Sequence, residues 1–266
     1  MLRSVFTGAL RESRRRFLWW SVGLIGYVVV IAAVWPSIRD NDALLELHKT
    51  YPEALKGFAS FGGQFDLGTP AGYLGAELFS VMVPLLLLVA GIGGGARALA
   101  GEEERGTLEL LLAQPVSRRR VALEKLAAVG LEVVALGGVL FLALWVSTAV
   151  AGMRIAAGHL LAATTAAVLL ALAYAAIAVL TGAATGRRAT AIAVPSALVV
   201  CAYLVNGLAP LVDVAHALRK LSPWYHYAAG DPLRHGLGTN ALVLVAILIA
   251  ATLLVPFVLD RRDFTS

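Results

Sequence analysis

Six apolar runs divide the chain, at about residues 17–35, 70–100, 121–151, 159–185, 189–211 and 240–259. Each is long enough to cross a hydrocarbon core, which takes roughly 20 residues at about 1.5 Å of helical rise each. Trp19, Trp20 and Trp35 flank the first run as interfacial tryptophans do, and Pro36 is expected to stop it. The second opens at Thr69-Pro70, carries Glu77 near its outer end, and has Pro84 in mid-run, where a kink is expected. Gly91 and Gly95 lie one helical turn apart, the spacing for close helix packing. They do not form a phosphate loop with Gly93 and Gly94, because no strand precedes them and no Lys-Ser/Thr follows. Glu132 lies about two turns into the third run, and Pro195 and Asn206 lie in the fifth.

The segments between the runs have patterns of their own. In residues 1–16, Leu2, Val5, Phe6, Ala9 and Leu10 fall on one helical face, with Arg3, Thr7, Arg11 and Arg14 on the other. That spacing predicts an amphipathic helix lying in the membrane interface. In residues 37–69, Thr50 and Glu53 make a capping-box pair around Pro52, Leu55, Phe58 and Ala59 share a face, and Gly62-Gly63 closes the short helix. Before the last run, Leu211, Val214, Leu218 and Leu221 repeat at helical spacing up to Ser222-Pro223. Trp224, Tyr225 and Tyr227 follow, residue types that settle at headgroup level, and Asp231-Pro232 starts another short helical piece. Residues 101–125 combine three acids (Glu102, Glu103, Glu104), a short amphipathic block, a breaker at Pro115 and the basic triplet Arg118-Arg119-Arg120. Thr107 can cap a helix there, Glu109 suits the first-turn dipole, and Leu108, Leu111 and Leu112 share one side. This reads either as a solvated connector with an interfacial helix or as a docking helix for a partner protein.

Composition agrees with the pattern. Of 266 residues, 59% are hydrophobic and 15% charged, against about 25% charged in soluble domains. The fold class is therefore an all-α integral membrane protein, a single transmembrane domain over residues 1–266, retaining its first helix rather than losing it as a signal peptide. The formal charge of +5 does not point to nucleic acid, since the basic residues sit at the ends of apolar runs. Fifteen of the 22 Lys and Arg residues fall on the side of the two termini and the 101–120 loop, and seven on the other. The excess places both termini in the cytoplasm. Cys201 lies alone in an apolar run, so an intrachain disulfide is impossible.

No catalytic or metal site is expected. The five histidines show neither HExxH nor i, i+4 pairing, and no serine sits in a Gly-x-Ser-x-Gly turn. The Glu102-Glu103-Glu104 run is similar to the paired glutamates of intramembrane prenyl-protein proteases, but Thr107 or Leu108 stands where that family needs an arginine. Without a Walker A lysine loop, the chain cannot hydrolyse ATP by itself. Glu77 and Glu132 either serve transport or pair locally, and neither has an obvious basic partner within a span.

Residues 101–118, GEEERGTLELLLAQPVSR, closely resemble the first cytoplasmic loop of type 2 ATP-binding-cassette (ABC) permeases, the membrane subunits of bacterial drug, antibiotic and polysaccharide exporters. The likeness extends over nearly the whole chain. Residues 221–234 and the closing Arg261-Arg262-Asp263 look most like the subgroup that exports polyketide-type antibiotics. The resemblance implies an elbow helix over residues 1–16 and a coupling helix near Thr107 to Gln114, seated in a groove of a separate ABC ATPase. The coupling residues it implies are Glu103, Glu104, Arg105, Gly106, Thr107, Leu108, Glu109, Leu111, Leu112, Gln114, Pro115 and Arg118. It further implies two permease copies, identical or related, with the pathway between them and Glu77, Phe79, Met82, Tyr203 and Asn206 as lining residues. ATP and Mg would be held by the ATPase, with no cofactor on this chain. The expected function is ATP-driven export of a hydrophobic compound such as a drug or antibiotic across a bacterial plasma membrane. A stand-alone secondary carrier or channel, and less so an intramembrane enzyme, are the alternatives.

Overall fold

The computed structural model describes residues 5–41, 43, 46, 50–52, 56–58, 60–61, 66–108 and 117–261. These form helices and turns, without a strand among them. Six helical segments are long and apolar enough to cross a membrane: Ser13–Arg39, Pro70–Ala98, Arg118–Val150, Ala157–Thr185, Arg188–Leu208 and Ala241–Asp260.

The first helix, α1 (Val5–Arg39), is continuous. The expected change from an elbow helix to a span at residues 16–17 does not occur, because no proline, glycine or cap interrupts residues 9–22. A single buried stripe (Ser13, Ser21, Leu24, Val28, Ala32, Trp35) runs along it, and it packs lengthwise on α5 (Arg118–Val150). Pro36 lies inside the helix rather than stopping it. The amide it lacks leaves the Ala32 carbonyl without its helical donor, and the helix runs only three residues further, to Arg39. Glu53 of the expected capping box and the Gly62-Gly63 stop lie outside the described residues, as do the first four residues.

The second span is in pieces. Thr69 caps α2 (Pro70–Leu74), accepting a hydrogen bond from the Gly72 amide at 3.2 Å, with Pro70 in the first turn. A π-helical turn (Gly75–Phe79) follows, and Val81 breaks it at φ −139°, ψ −56° before α3 (Met82–Ala98) begins. Pro84 therefore stands in the first turn of α3 rather than in mid-helix, and the bend lies just ahead of it. After Leu99, the short α4 (Ala100–Glu103) turns away.

Ser117 caps α5, accepting from the Arg120 amide at 3.3 Å. The remaining spans are α6 (Ala157–Thr185), α7 (Arg188–Leu208) and α11 (Ala241–Asp260). Gly186, at φ 64°, closes α6 in the left-handed conformation that glycine adopts without strain and lets α7 start two residues later.

Helix α6 is the axis of the bundle. It is alanine-rich and mostly buried between Leu160 and Ala183, with α3, α5, α7 and α11 packed around it. Small residues let the backbones approach. A Cβ added at Gly95 would lie 2.6 Å from the Ala175 carbonyl oxygen and 3.0 Å from the Ala178 Cβ. One added at Gly91 would lie 3.1 Å from the Ala171 carbonyl oxygen. The glycine pair is a packing device, as its spacing predicts.

Between α7 and α11 the chain forms α8 (Asp213–Leu218), a 3₁₀ turn (Arg219–Leu221), α9 (Pro223–Ala228) and α10 (Pro232–His235). Trp224 and Tyr227 do not face outward as expected of headgroup-level aromatics; both are buried. Tyr227 donates its hydroxyl to the Phe79 carbonyl at 2.7 Å, a partner that the broken second span supplies. With its one polar group satisfied, the ring can be buried at low cost.

Gly95→Ala should destabilise the protein by about 1–3 kcal/mol, because the clash is with rigid backbone. Gly138→Ala, where an added Cβ meets nothing within 4 Å, should leave stability unchanged or slightly higher. Thermal denaturation of the two detergent-solubilised variants checks this.

Candidate coupling face and transport pathway

Both ends of the described chain lie on one face of the bundle. The Phe6 amide donates to Glu124 Oε2 at 3.1 Å, and Arg119 pairs with Asp260 at 2.6 Å. This termini face also carries the acidic loop. Gly106, at φ 68°, turns the loop, and residues 107–108 are again helical. Glu109, Leu111, Leu112, Gln114 and Pro115 lie outside the described residues.

Each described residue of the loop has a definite place. Glu102 is buried and ion-paired with the buried Lys125 of α5, and its carbonyl accepts from the Thr107 hydroxyl at 3.1 Å. Glu103 is half-buried. Glu104 is exposed, and its Oε1 accepts from the Arg188 amide at 2.8 Å, so it caps the first turn of α7 from another segment. A carboxylate there also meets the positive end of the helix dipole. Arg105 folds back to donate from Nε to the Gly101 carbonyl at 2.8 Å. Leu108 is 1% exposed and packs in a core cluster with Val121, Ala122, Val255 and Leu259. The loop's first leucine is thus an internal anchor. Arg118 is exposed at the start of α5.

Glu132 finds a partner that the pattern of runs does not show. Arg16 reaches it with two hydrogen bonds, Nε to Oε1 at 2.9 Å and Nη2 to Oε2 at 2.6 Å. The pair becomes possible because α1 is continuous, which carries Arg16 alongside α5. Glu132 and Lys125 are seven residues apart on α5, two turns along one face. That spacing is the sequence signal for a shared charged surface. Small residues from three helices (Ala9, Gly94, Ala98 and Ala128) leave a cavity of about 50 Å³ beside these pairs, and Arg97 and Arg105 also line it.

The residues proposed to line a pathway are not gathered into one surface of the single chain. Glu77 and Met82 are exposed, the backbone carbonyl of Glu77 accepting from the Tyr27 hydroxyl at 3.0 Å. Phe79 is fully buried beside Phe61, with ring centroids 5.5 Å apart. Tyr203 and Asn206 are half-buried on α7. The Tyr203 ring sits 4.9 Å from Trp224, and the Asn206 side chain accepts from Arg219 Nε at 3.3 Å.

Six apolar helical segments, four of them packed around α6, with a charged loop stitched across one end, define a multi-pass helical membrane domain. Residues 9–264 match the family model described as ABC-2 family transporter protein, and the chain belongs to that family. Its members are transport membrane subunits, and membership implies an ABC ATPase partner in general. A comparison with curated proteins finds no match.

Removing one member of a buried ion pair leaves the other uncompensated, at a cost of about 3–5 kcal/mol. Arg16→Ala should therefore lower stability by roughly 3 kcal/mol, the lower end because the Arg16 side chain is 29% exposed. Combining it with Glu132→Gln should recover most of that loss. A double-mutant cycle on thermal or denaturant unfolding measures the coupling.

Proposed function

We propose that this chain is the permease subunit of an ATP-driven bacterial exporter, acting as two copies with the pathway between them. A separate ABC ATPase binds the coupling segment that follows Leu108 and supplies ATP and Mg. The termini face is cytoplasmic in this reading, supported by the fifteen-to-seven distribution of basic residues.

The observation that carries the proposal is the anchorage of the acidic loop. Leu108 ties it to α5 and α11, Glu102 to α5, and Glu104 to α7. A rigid partner that pulls on residues 109–116 thereby acts on three spans at once. ATP-driven closure of two ATPases would bias the spans between two arrangements, a change that requires differential contact with each state. The cargo proposed is a hydrophobic compound such as a drug or antibiotic, because the exposed side of α3 is apolar at Met82, Leu85 and Val89.

Replacing Leu111 and Leu112 together with glutamate should lower ATPase co-purification and export by about tenfold, the equivalent of roughly 1.4 kcal/mol at the docking contact. Leu108→Ala should lower the melting temperature of the isolated permease, as expected for a core residue. Full ATPase association and export by the double variant would overturn the coupling role, and transport by the purified chain driven by an ion gradient would overturn the subunit assignment.

A further inference from the structure

The cavity on the termini face is unusual for its charge. Six ionisable residues line it: Arg16, Arg97, Arg105, Lys125, Glu102 and Glu132. Four basic and two acidic residues give a formal excess of +2 around a space walled by three helices. The acids are already engaged, Glu132 by Arg16 and Glu102 by Lys125. Arg97 and Arg105 supply the other two formal positive charges of the lining.

Size and surroundings narrow the occupant. At roughly 10–15 Å³ per water, about 50 Å³ takes three to five small atoms or waters, which is the size of a phosphate group. The cavity lies at the polar end of the apolar spans, where α3 finishes at Ala98. It reaches the surface through the exposed Arg105 and the half-buried Arg97. The exposed side of α3 runs towards it through Leu85, Val89 and the half-buried Gly93, over which the Arg97 guanidinium lies. An apolar track that ends at a basic recess matches an acyl chain joined to a charged headgroup. Basic pockets between spans on one side of a membrane are suited to phosphate headgroups.

We propose that this cavity binds the phosphate of an anionic phospholipid in the leaflet on the termini side. The phosphate recess is distinct from the residues proposed to line the cargo pathway, while the acyl chain shares with the cargo the apolar side of α3 at Leu85 and Val89. Free phosphate shares the recognising chemistry but not the acyl chain, so the two sources are separable.

The full-length protein, purified in a neutral detergent, is titrated with phosphatidylglycerol, phosphatidylcholine or inorganic phosphate, and bound molecules are counted by native mass spectrometry. Phosphatidylglycerol should be retained about tenfold more tightly than phosphatidylcholine. Arg97→Gln and Arg105→Gln should each weaken it by roughly three- to tenfold, whereas Arg234→Gln, on the opposite face, should not. Equal retention of the two lipids by the unmodified protein would overturn the proposal whatever the variants do. So would displacement of phosphatidylglycerol by equimolar inorganic phosphate, which would assign the site to the free anion. Unchanged phosphatidylglycerol affinity in an Arg97→Gln, Arg105→Gln protein of normal melting temperature would place the lipid elsewhere.

Discussion

A charge taken out of water must be met by another, and that requirement organises the termini face of this bundle. Glu102, Lys125 and Glu132 are each less than a tenth exposed, and each has its counter-charge on a different segment. Desolvation makes such pairs poor sources of net stability, and their contribution is geometric. An arrangement that separates Glu102 from Lys125, or Arg16 from Glu132, leaves an uncompensated buried ion. The pairs therefore fix the positions of α1, α4 and α5 relative to one another. Glu104, capping α7, extends the same lock to a fourth helix by a hydrogen bond that water could partly replace.

The opposite face is held by different means. Its rings form a chain of contacts, from Phe58 through Tyr203, Trp224, Tyr227 and Phe61 to Phe79. Backbone carbonyls of the π turn and its neighbours accept there from Tyr27, Tyr227 and Ser80. Between the faces, the alanine surface of α6 brings α3 within glycine-only distance. The middle of the bundle is thus tightly packed, one end is aromatic and hydrogen-bonded, and the other is ionic.

What the sequence reveals follows the range of the interaction. Apolar runs are local signals, so the start of α2 and both ends of α5, α6 and α11 lie within a few residues of where hydropathy puts them, with Thr69, Ser117 and Gly186 at three of those ends. The Gly91 and Gly95 spacing is local too, and its packing role follows from it. The partner of Glu132 lies 116 residues away, and no periodicity in either segment can report it. The inward turn of Tyr227 was illegible for the same reason, since its acceptor exists only once the second span breaks at Val81. The continuity of α1 was hidden by composition. The triplet Arg14-Arg15-Arg16 looks like a membrane boundary, yet arginine is a good helix former and one of the three is used internally.

Placing this chain among ABC-2 transporter proteins gives the ionic face its mechanical sense, because the segment a partner is proposed to grip begins at residue 109, seven residues beyond Glu102. The most direct test uses the complex with its ATPase in liposomes, comparing transport per ATP hydrolysed before and after Glu102→Gln with Lys125→Met, which removes both charges and leaves none stranded. If the pair transmits the stroke, the doubly substituted complex should keep hydrolysing ATP while transport per ATP falls by about tenfold, a loss of roughly 1.4 kcal/mol of coupling. Transport per ATP equal to that of the unmodified complex would contradict the account.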